Sequence, residues 1–155
     1  MPISQHAYQA ETLTAPAYDD DFVLWLDAQV EFLRAGRYEL LDKENLLEEL
    51  IAMTRHDRRS LRSRLEKIIM HMLKIDFQPV RRTRSWSASI REQRRKIVLI
   101  LDDSPSLRRE LQGVIKRVYP DAVYEAAKQT GLPESAFPSA CPYSIEQILQ
   151  GEAWA

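Results

Sequence analysis

Arginines dominate the residues of this 155-residue chain whose types and spacing could do chemistry. Residues 78–86 read QPVRRTRSW, so Arg81, Arg82 and Arg84 lie directly before Trp86. Guanidinium groups bind phosphate or carboxylate through paired hydrogen bonds, and an indole ring offers a stacking face. An anion or nucleic-acid site is one interpretation of this stretch. The favoured interpretation is a connection between helices, in which Trp86 is buried and the arginines pair with acids elsewhere in the chain.

A second basic segment lies upstream of that stretch. Because an α-helix turns about 100° per residue, a helix here would place four arginines on one stripe. They are Arg55, Arg58, Arg59 and Arg62. Such a stripe could follow a nucleic-acid backbone, but it has no interleaved aromatic residue and no recognised nucleic-acid-binding motif. A solvated or ion-paired helix face is the competing interpretation.

Histidines and carboxylates provide the residues for a metal hypothesis, in which Glu48, Glu49, His56 or His71 would serve an enzyme. Helical di-metal proteins use Glu-x-x-His pairs, because three residues apart places both ligands on one side of a helix. The sequence has no such pair. His71 lies in the apolar run IIMHML, which favours a hydrogen-bonded core histidine. We therefore predict neither a metal nor a cofactor.

The single cysteine, Cys141, could act as a nucleophile if a histidine approached it in the fold. Pro142 and Tyr143 follow it in a turn-like segment, so a small buried thiol is the expected role. We predict no catalytic residue. A lone thiol also suits a reducing compartment, and no apolar run approaches the roughly 20 residues of a membrane span. We therefore expect a cytoplasmic protein that does not contact a membrane.

Charge is unevenly distributed along the chain, although the formal net charge is only -1. Residues 1–54 hold three Lys or Arg against eleven Asp or Glu, whereas residues 55–96 hold fourteen against four. The basic middle segment can attract phosphates, but the acidic segment can equally neutralise it. The apolar fraction of 45% is that of an ordinary globular protein.

Apolar residues recur every three or four positions along most of the chain, which predicts helices. The first helix begins after Asp19, Asp20 and Asp21 and ends at Gly36, and the second runs from Asp42 to about Phe77, before Pro79. The third helix begins at Ser85 and ends at Asp102 and Asp103. The fourth begins at Ser104 and Pro105, is kinked by Pro120 and ends at Gly131, and a short fifth begins at Ser144, with Gln147 completing a capping box.

These elements predict an all-α fold, a helical bundle of about four main helices with a short C-terminal helix. Residues 1–17 lack periodicity and predict a flexible N-terminal arm, leaving 18–155 as a single all-α domain.

Several short blocks, read in order, resemble the bacterial domain of unknown function 29 (DUF29) family. They are Tyr18-Asp19-x-Asp21-Phe22-x-x-Trp25, Gly36-Arg37, Asp42-x-x-Asn45-Leu46-x-Glu48-Glu49, Gln78-Pro79, Ser85-Trp86, Gln93-Arg94, Ser104-Pro105-Ser106-Leu107 and Cys141-Pro142-Tyr143-Ser144. The resemblance implies a small helical bacterial protein with no established activity. The family often has a glycine where Thr54 stands, so a helix break there is doubtful in this chain.

We expect a non-enzymatic module that binds another protein or a second copy of itself, since a long helix with an apolar stripe can bury its surplus face in a dimer. The alternatives are a nucleic-acid or phosphate-binding protein that uses residues 55–96 and, least favoured, a metal-dependent enzyme.

Overall fold

The structure is a computed structural model that describes residues 15–151. It contains five α-helices within that range: α1 (Phe22–Arg34), α2 (Lys43–Phe77), α3 (Arg84–Asp103), α4 (Leu111–Thr130) and α5 (Ile145–Gln150). Short 3₁₀ helices lie at Tyr38–Leu40, Pro79–Arg81, Pro105–Glu110 and Glu134–Ala136. Residues 15–151 contain no strand. The predicted all-α class, with four main helices and a short fifth, is confirmed. Most of the predicted arm, residues 1–14, lies outside the described residues.

Three predicted helix ends are confirmed by their hydrogen bonds. Asp21 caps α1 by accepting a hydrogen bond from the Leu24 backbone N–H. At Ser144 both halves of the capping box form with Gln147, so the start of α5 has its unpaired N–H groups satisfied. Gly131 ends α4 with a φ of 75°, a left-handed conformation that glycine adopts without steric cost.

Two predicted helix starts are wrong. The third helix begins at Arg84, so Ser85 lies inside its first turn and shares a hydrogen bond with Thr83 at 2.6 Å between their hydroxyl oxygens. Ser104 precedes a 3₁₀ helix, and α4 begins only at Leu111. Proline at the first position suits either helix type, because both leave the first N–H groups unpaired. The sequence pattern therefore did not separate them.

Helix α2 runs without a break from Lys43 to Phe77, through Thr54, as predicted. Pro120 lies inside α4 and is exposed, and that helix is continuous on both sides of it. The kink predicted there stays a prediction.

The chain divides into two compact units between Ala52 and Met53. The N-terminal unit contains α1, the Tyr38–Leu40 turn and the first part of α2, while the C-terminal unit contains the rest of α2 and the later helices. The prediction of one domain over residues 18–155 stays a prediction.

The hydrophobic core of the described residues lies in the C-terminal unit. From Leu61 to Ile75, α2 contributes eight buried apolar residues, and α3 and α4 contribute Ile90, Ile97 and Val118 among others. Ile148 of α5 is fully buried against this core. None of the helices within residues 15–151 is both long and apolar enough to cross a membrane.

Candidate interaction surfaces

The QPVRRTRSW stretch forms the connection between α2 and α3. Gln78 donates a side-chain hydrogen bond to the Thr130 carbonyl at 3.0 Å, and residues 79–81 make one 3₁₀ turn. Trp86 is partly buried and packs against the core. The structure therefore shows the helix connection and the packed tryptophan of the favoured interpretation.

The three arginines of that stretch, Arg81, Arg82 and Arg84, are exposed on the surface of the C-terminal unit. Binding of an anion by these arginines stays a prediction.

Sequence reasoning missed Lys74, which is only 5% exposed. Its ammonium nitrogen lies 4.1 Å from the centroid of the Trp86 ring and donates to Gln129 Oε1 at 2.6 Å. Burial lowers the pKa of Lys74, because removal from water disfavours the charged form. The position of this lysine within an apolar helical run was the one available indication of its burial.

The four arginines predicted on one stripe of α2 are all exposed in the C-terminal unit. Arg58 forms a bidentate ion pair with Glu110, donating through Nε at 3.2 Å and Nη2 at 3.0 Å. This pairing lowers the pKa of Glu110. Arg55, Arg59 and Arg62 form no ion pair within the described part of the chain.

The histidines and acids of the metal hypothesis are not brought together. Across residues 15–151, no group of three or more His, Cys, Asp or Glu side chains could hold a metal ion. His56 is exposed beside Asp57, and His71 is largely buried.

His71 was predicted as a hydrogen-bonded core residue, and that prediction is wrong in one respect. Its Nδ1 atom is buried and has no hydrogen-bond partner among the described residues. Burial, together with the charges of Lys74 and Lys67, lowers the pKa of His71 to about 4. The imidazole is consequently neutral at pH 7, which limits the cost of burying it.

Cys141 is a half-buried free thiol, as the sequence predicted in general terms. Its sulfur lies 3.7 Å from the Tyr143 carbonyl oxygen. Burial raises the pKa of Cys141, which disfavours the thiolate that a nucleophile requires.

A polar network organises the N-terminal unit around Asp42, which directly precedes α2. Its carboxylate accepts hydrogen bonds from the Trp25 indole at 3.1 Å and from the Asn45 backbone and side chain at 3.2 and 2.8 Å. The buried Gln29 side chain accepts from the Asp42 backbone N–H at 2.8 Å. The hydrogen bonds from Asn45, its side chain first, and from Trp25 lower the pKa of Asp42. The network fixes α1 against the start of α2.

Tyr18 makes a second set of contacts within the same unit. Its hydroxyl donates to Glu49, and its ring packs edge-on against Phe22 and Trp25, with centroids 5.8 and 4.9 Å apart. The hydrogen bond to Glu49 is the largest cause of the raised pKa of Tyr18.

Apolar side chains in the described part of the N-terminal unit are mostly exposed. Trp25, at 1% exposure, is the one buried hydrophobic side chain within the described residues 15–52. Phe22, Leu26 and Leu33 of α1 fall within about 40° of one another around the helix, and they are 38% to 49% exposed. Leu47 and Leu50 of α2 are 57% and 60% exposed. We call these five residues the N-terminal apolar set.

The fold and these surfaces define an all-α protein with exposed apolar helix faces and an exposed arginine row. Residues 17–154 match the family described as Domain of unknown function DUF29, so the chain belongs to that family. The function of the family is unknown. No curated protein and no solved structure matches the chain.

Proposed function

We propose that this chain is a non-enzymatic protein-interaction module and that the N-terminal apolar set is its docking surface. The observation that carries the proposal is the contrast between the five exposed residues of that set and Trp25, the single buried apolar side chain among residues 15–52. Exposed apolar helix faces of this kind are typical of surfaces that a partner helix covers.

The charge of the unit indicates the chemistry of the partner. Residues 15–52 hold ten Asp or Glu against three Lys or Arg. Asp27, Glu44 and Glu48 are exposed and form no ion pair within the described residues. A second copy would bring the same negative charge to the contact, and like charges across an interface cost free energy. We therefore propose a cationic amphipathic helix of another protein as the occupant.

A peptide titration tests this proposal directly. The probe is a fluorescently labelled 18-residue helix of Leu and Lys with one apolar face, compared with a scrambled peptide of the same composition. We expect the purified protein to bind the amphipathic peptide at least tenfold more tightly than the scrambled one, measured by anisotropy. Equal binding of both peptides would mean that charge alone drives the contact, and the proposal would fail.

A double variant, Leu47→Glu with Leu50→Glu, separates apolar contact from charge. The substitutions add negative charge, so attraction of a cationic peptide by charge alone would rise. Loss of binding therefore reports the apolar contact. Val80→Asp, at a position 96% exposed in the C-terminal unit, is the control for an added negative charge elsewhere and should bind as the wild type does. If light scattering instead shows a dimer that the double variant abolishes, the occupant is a second copy and the proposed partner chemistry is wrong.

We also propose a cytoplasmic location in a bacterial cell. The free thiol of Cys141, which is stable in a reducing compartment, supports the first part, and the family resemblance supports the second. Alkylation of Cys141 in intact cells by a permeant reagent, but not by an impermeant one, would test the location.

A further inference from the structure

The exposed arginine row on α2 forms a second surface, which belongs to the C-terminal unit. Arg55, Arg59 and Arg62 lie within about 60° of one another around the helix. All three are exposed. Glu66, the next acid along α2, lies one turn after Arg62 on the same side of the helix; burial raises its pKa, and the charge of Arg62 lowers it. Within the described residues none of the three arginines forms an ion pair, so the row presents three positive charges.

The spacing of the row fits a regular polyanion. From Arg55 to Arg62 the helix rises about 10 Å, at about 1.5 Å per residue. One strand of a DNA duplex places a phosphate every 3.4 Å or so along the axis. Measured along the duplex axis, this rise covers about three phosphates of one strand.

Arg58, which lies beside the row on α2, already binds an anionic group. The Glu110 carboxylate already occupies its guanidinium through two hydrogen bonds, in the geometry that a phosphate also accepts. Glu110 therefore removes one charge from the row. Neutralising this carboxylate would return a fourth cation to the surface.

We propose that this arginine row binds the phosphate backbone of duplex nucleic acid without reading its sequence. The row has no aromatic residue for stacking unpaired bases, which argues against a single strand. It has no apolar side chains beside the arginines to enter a lipid bilayer, which argues against a membrane surface. A straight row of cations on one helix is suited to a rigid, regularly charged rod.

Salt dependence gives the sharpest test, because each neutralised phosphate releases counterions. Three contacts predict that the logarithm of the binding constant falls with the logarithm of salt concentration at a slope of about -2.7. Binding of a labelled 20-base-pair duplex, measured by anisotropy, should then weaken by about 20-fold between 50 and 150 mM salt. A slope near zero, or equal binding of anionic phospholipid vesicles in place of duplex, would overturn the proposal.

Two triple variants test whether the three arginines of the row make the phosphate contacts. Arg55→Ala, Arg59→Ala and Arg62→Ala together should abolish duplex binding while preserving the helix, since alanine is a strong helix former. The matched control replaces three ion-paired arginines, Arg34, Arg95 and Arg108, with alanine. It changes the net charge equally and should retain the slope. If both triple variants lost duplex binding equally, net charge alone would explain the effect, and the row would not be a binding site.

Glu110→Gln provides a gain-of-binding test. Releasing Arg58 should steepen the slope to about -3.6, because a fourth phosphate contact becomes possible. Adding Arg58→Ala to Glu110→Gln should return the slope to about -2.7. An unchanged slope in Glu110→Gln would contradict the assignment of Arg58 to this surface.

Discussion

Arg94 of α3 and Ile148 of α5 are joined by a hydrogen bond of 2.8 Å between the guanidinium Nε and the carbonyl oxygen. Two further bonds from the same guanidinium reach the carbonyls of Gln147 at 2.8 Å and Gly151 at 2.5 Å. One arginine therefore binds three carbonyl groups at the end of α5, of which that of Gln147 also accepts the Gly151 backbone N–H. The contact holds the last helix on the core.

Arg94→Lys should destabilise the fold even though it keeps the charge. An ammonium group is a compact donor and cannot reproduce the planar fork that reaches three carbonyls. We expect a loss of about 2 kcal/mol in the free energy of unfolding, measured with urea. Arg91→Lys, one turn earlier at an exposed position of α3, is the control and should change stability little. Equal effects at both positions would contradict the capping role.

Tyr143→Phe should also destabilise the protein. The Tyr143 hydroxyl donates to Asp76 Oδ2 at 2.7 Å, and this bond joins the segment before α5 to the end of α2. Burial, followed by the hydrogen bond to Asp76, raises the pKa of Tyr143. Loss of the bond should cost about 1–2 kcal/mol. Tyr124→Phe removes a hydroxyl from an exposed side chain, so it should be neutral; a comparable loss there would refute this account.

Gly131→Ala and Gly113→Ala should change stability in opposite directions. Gly131 has a φ of 75°, where a side chain is strained even though no atom lies within 4 Å of the added Cβ. We expect a loss of about 1 kcal/mol or more. Gly113 lies inside α4 with equal space around it, and alanine there should add about 0.5–1 kcal/mol. Thermal unfolding of both variants checks the pair, and a shift of the same sign would show that backbone conformation does not decide the outcome.

Stability should fall between pH 7 and pH 5 because of His71. Its pKa is about 4 in the fold, below the value of about 6.5 expected in the unfolded chain. The unfolded chain therefore binds a proton in this window and the folded protein does not, so unfolding is favoured as the pH falls. The loss should be at most about 2 kcal/mol between those two pH values.

The variant His71→Gln tests this assignment, because it removes the titrating group whatever it does to stability at pH 7. Urea unfolding at pH 7 and pH 5 should show a smaller pH-dependent loss than the wild type shows. His56→Gln, at an exposed position, should keep the wild-type dependence. If His71→Gln retained the full loss, another group would be responsible.

The sequence by itself determined the helices and several of their ends. Apolar spacing and local capping act within a few residues, so Asp21, Gly131 and the Ser144 capping box could be read directly. Ser85 and Ser104 were misplaced because a serine or a proline near a helix start is compatible with more than one local geometry. The all-α class and the unbroken course of α2 through Thr54 were likewise local properties of the chain.

Tertiary structure alone decided which polar groups are paired. Arg58 and Glu110 are 52 positions apart, and Tyr143 and Asp76 are 67 apart, so no local pattern could join them. The same reason explains why Lys74, a charged residue in the sequence, is buried over Trp86. The sequence also could not show that the N-terminal apolar set is exposed, because a buried and an exposed apolar stripe have the same residue pattern. Burial depends on which elements pack together, and that is decided by contacts distant in the chain.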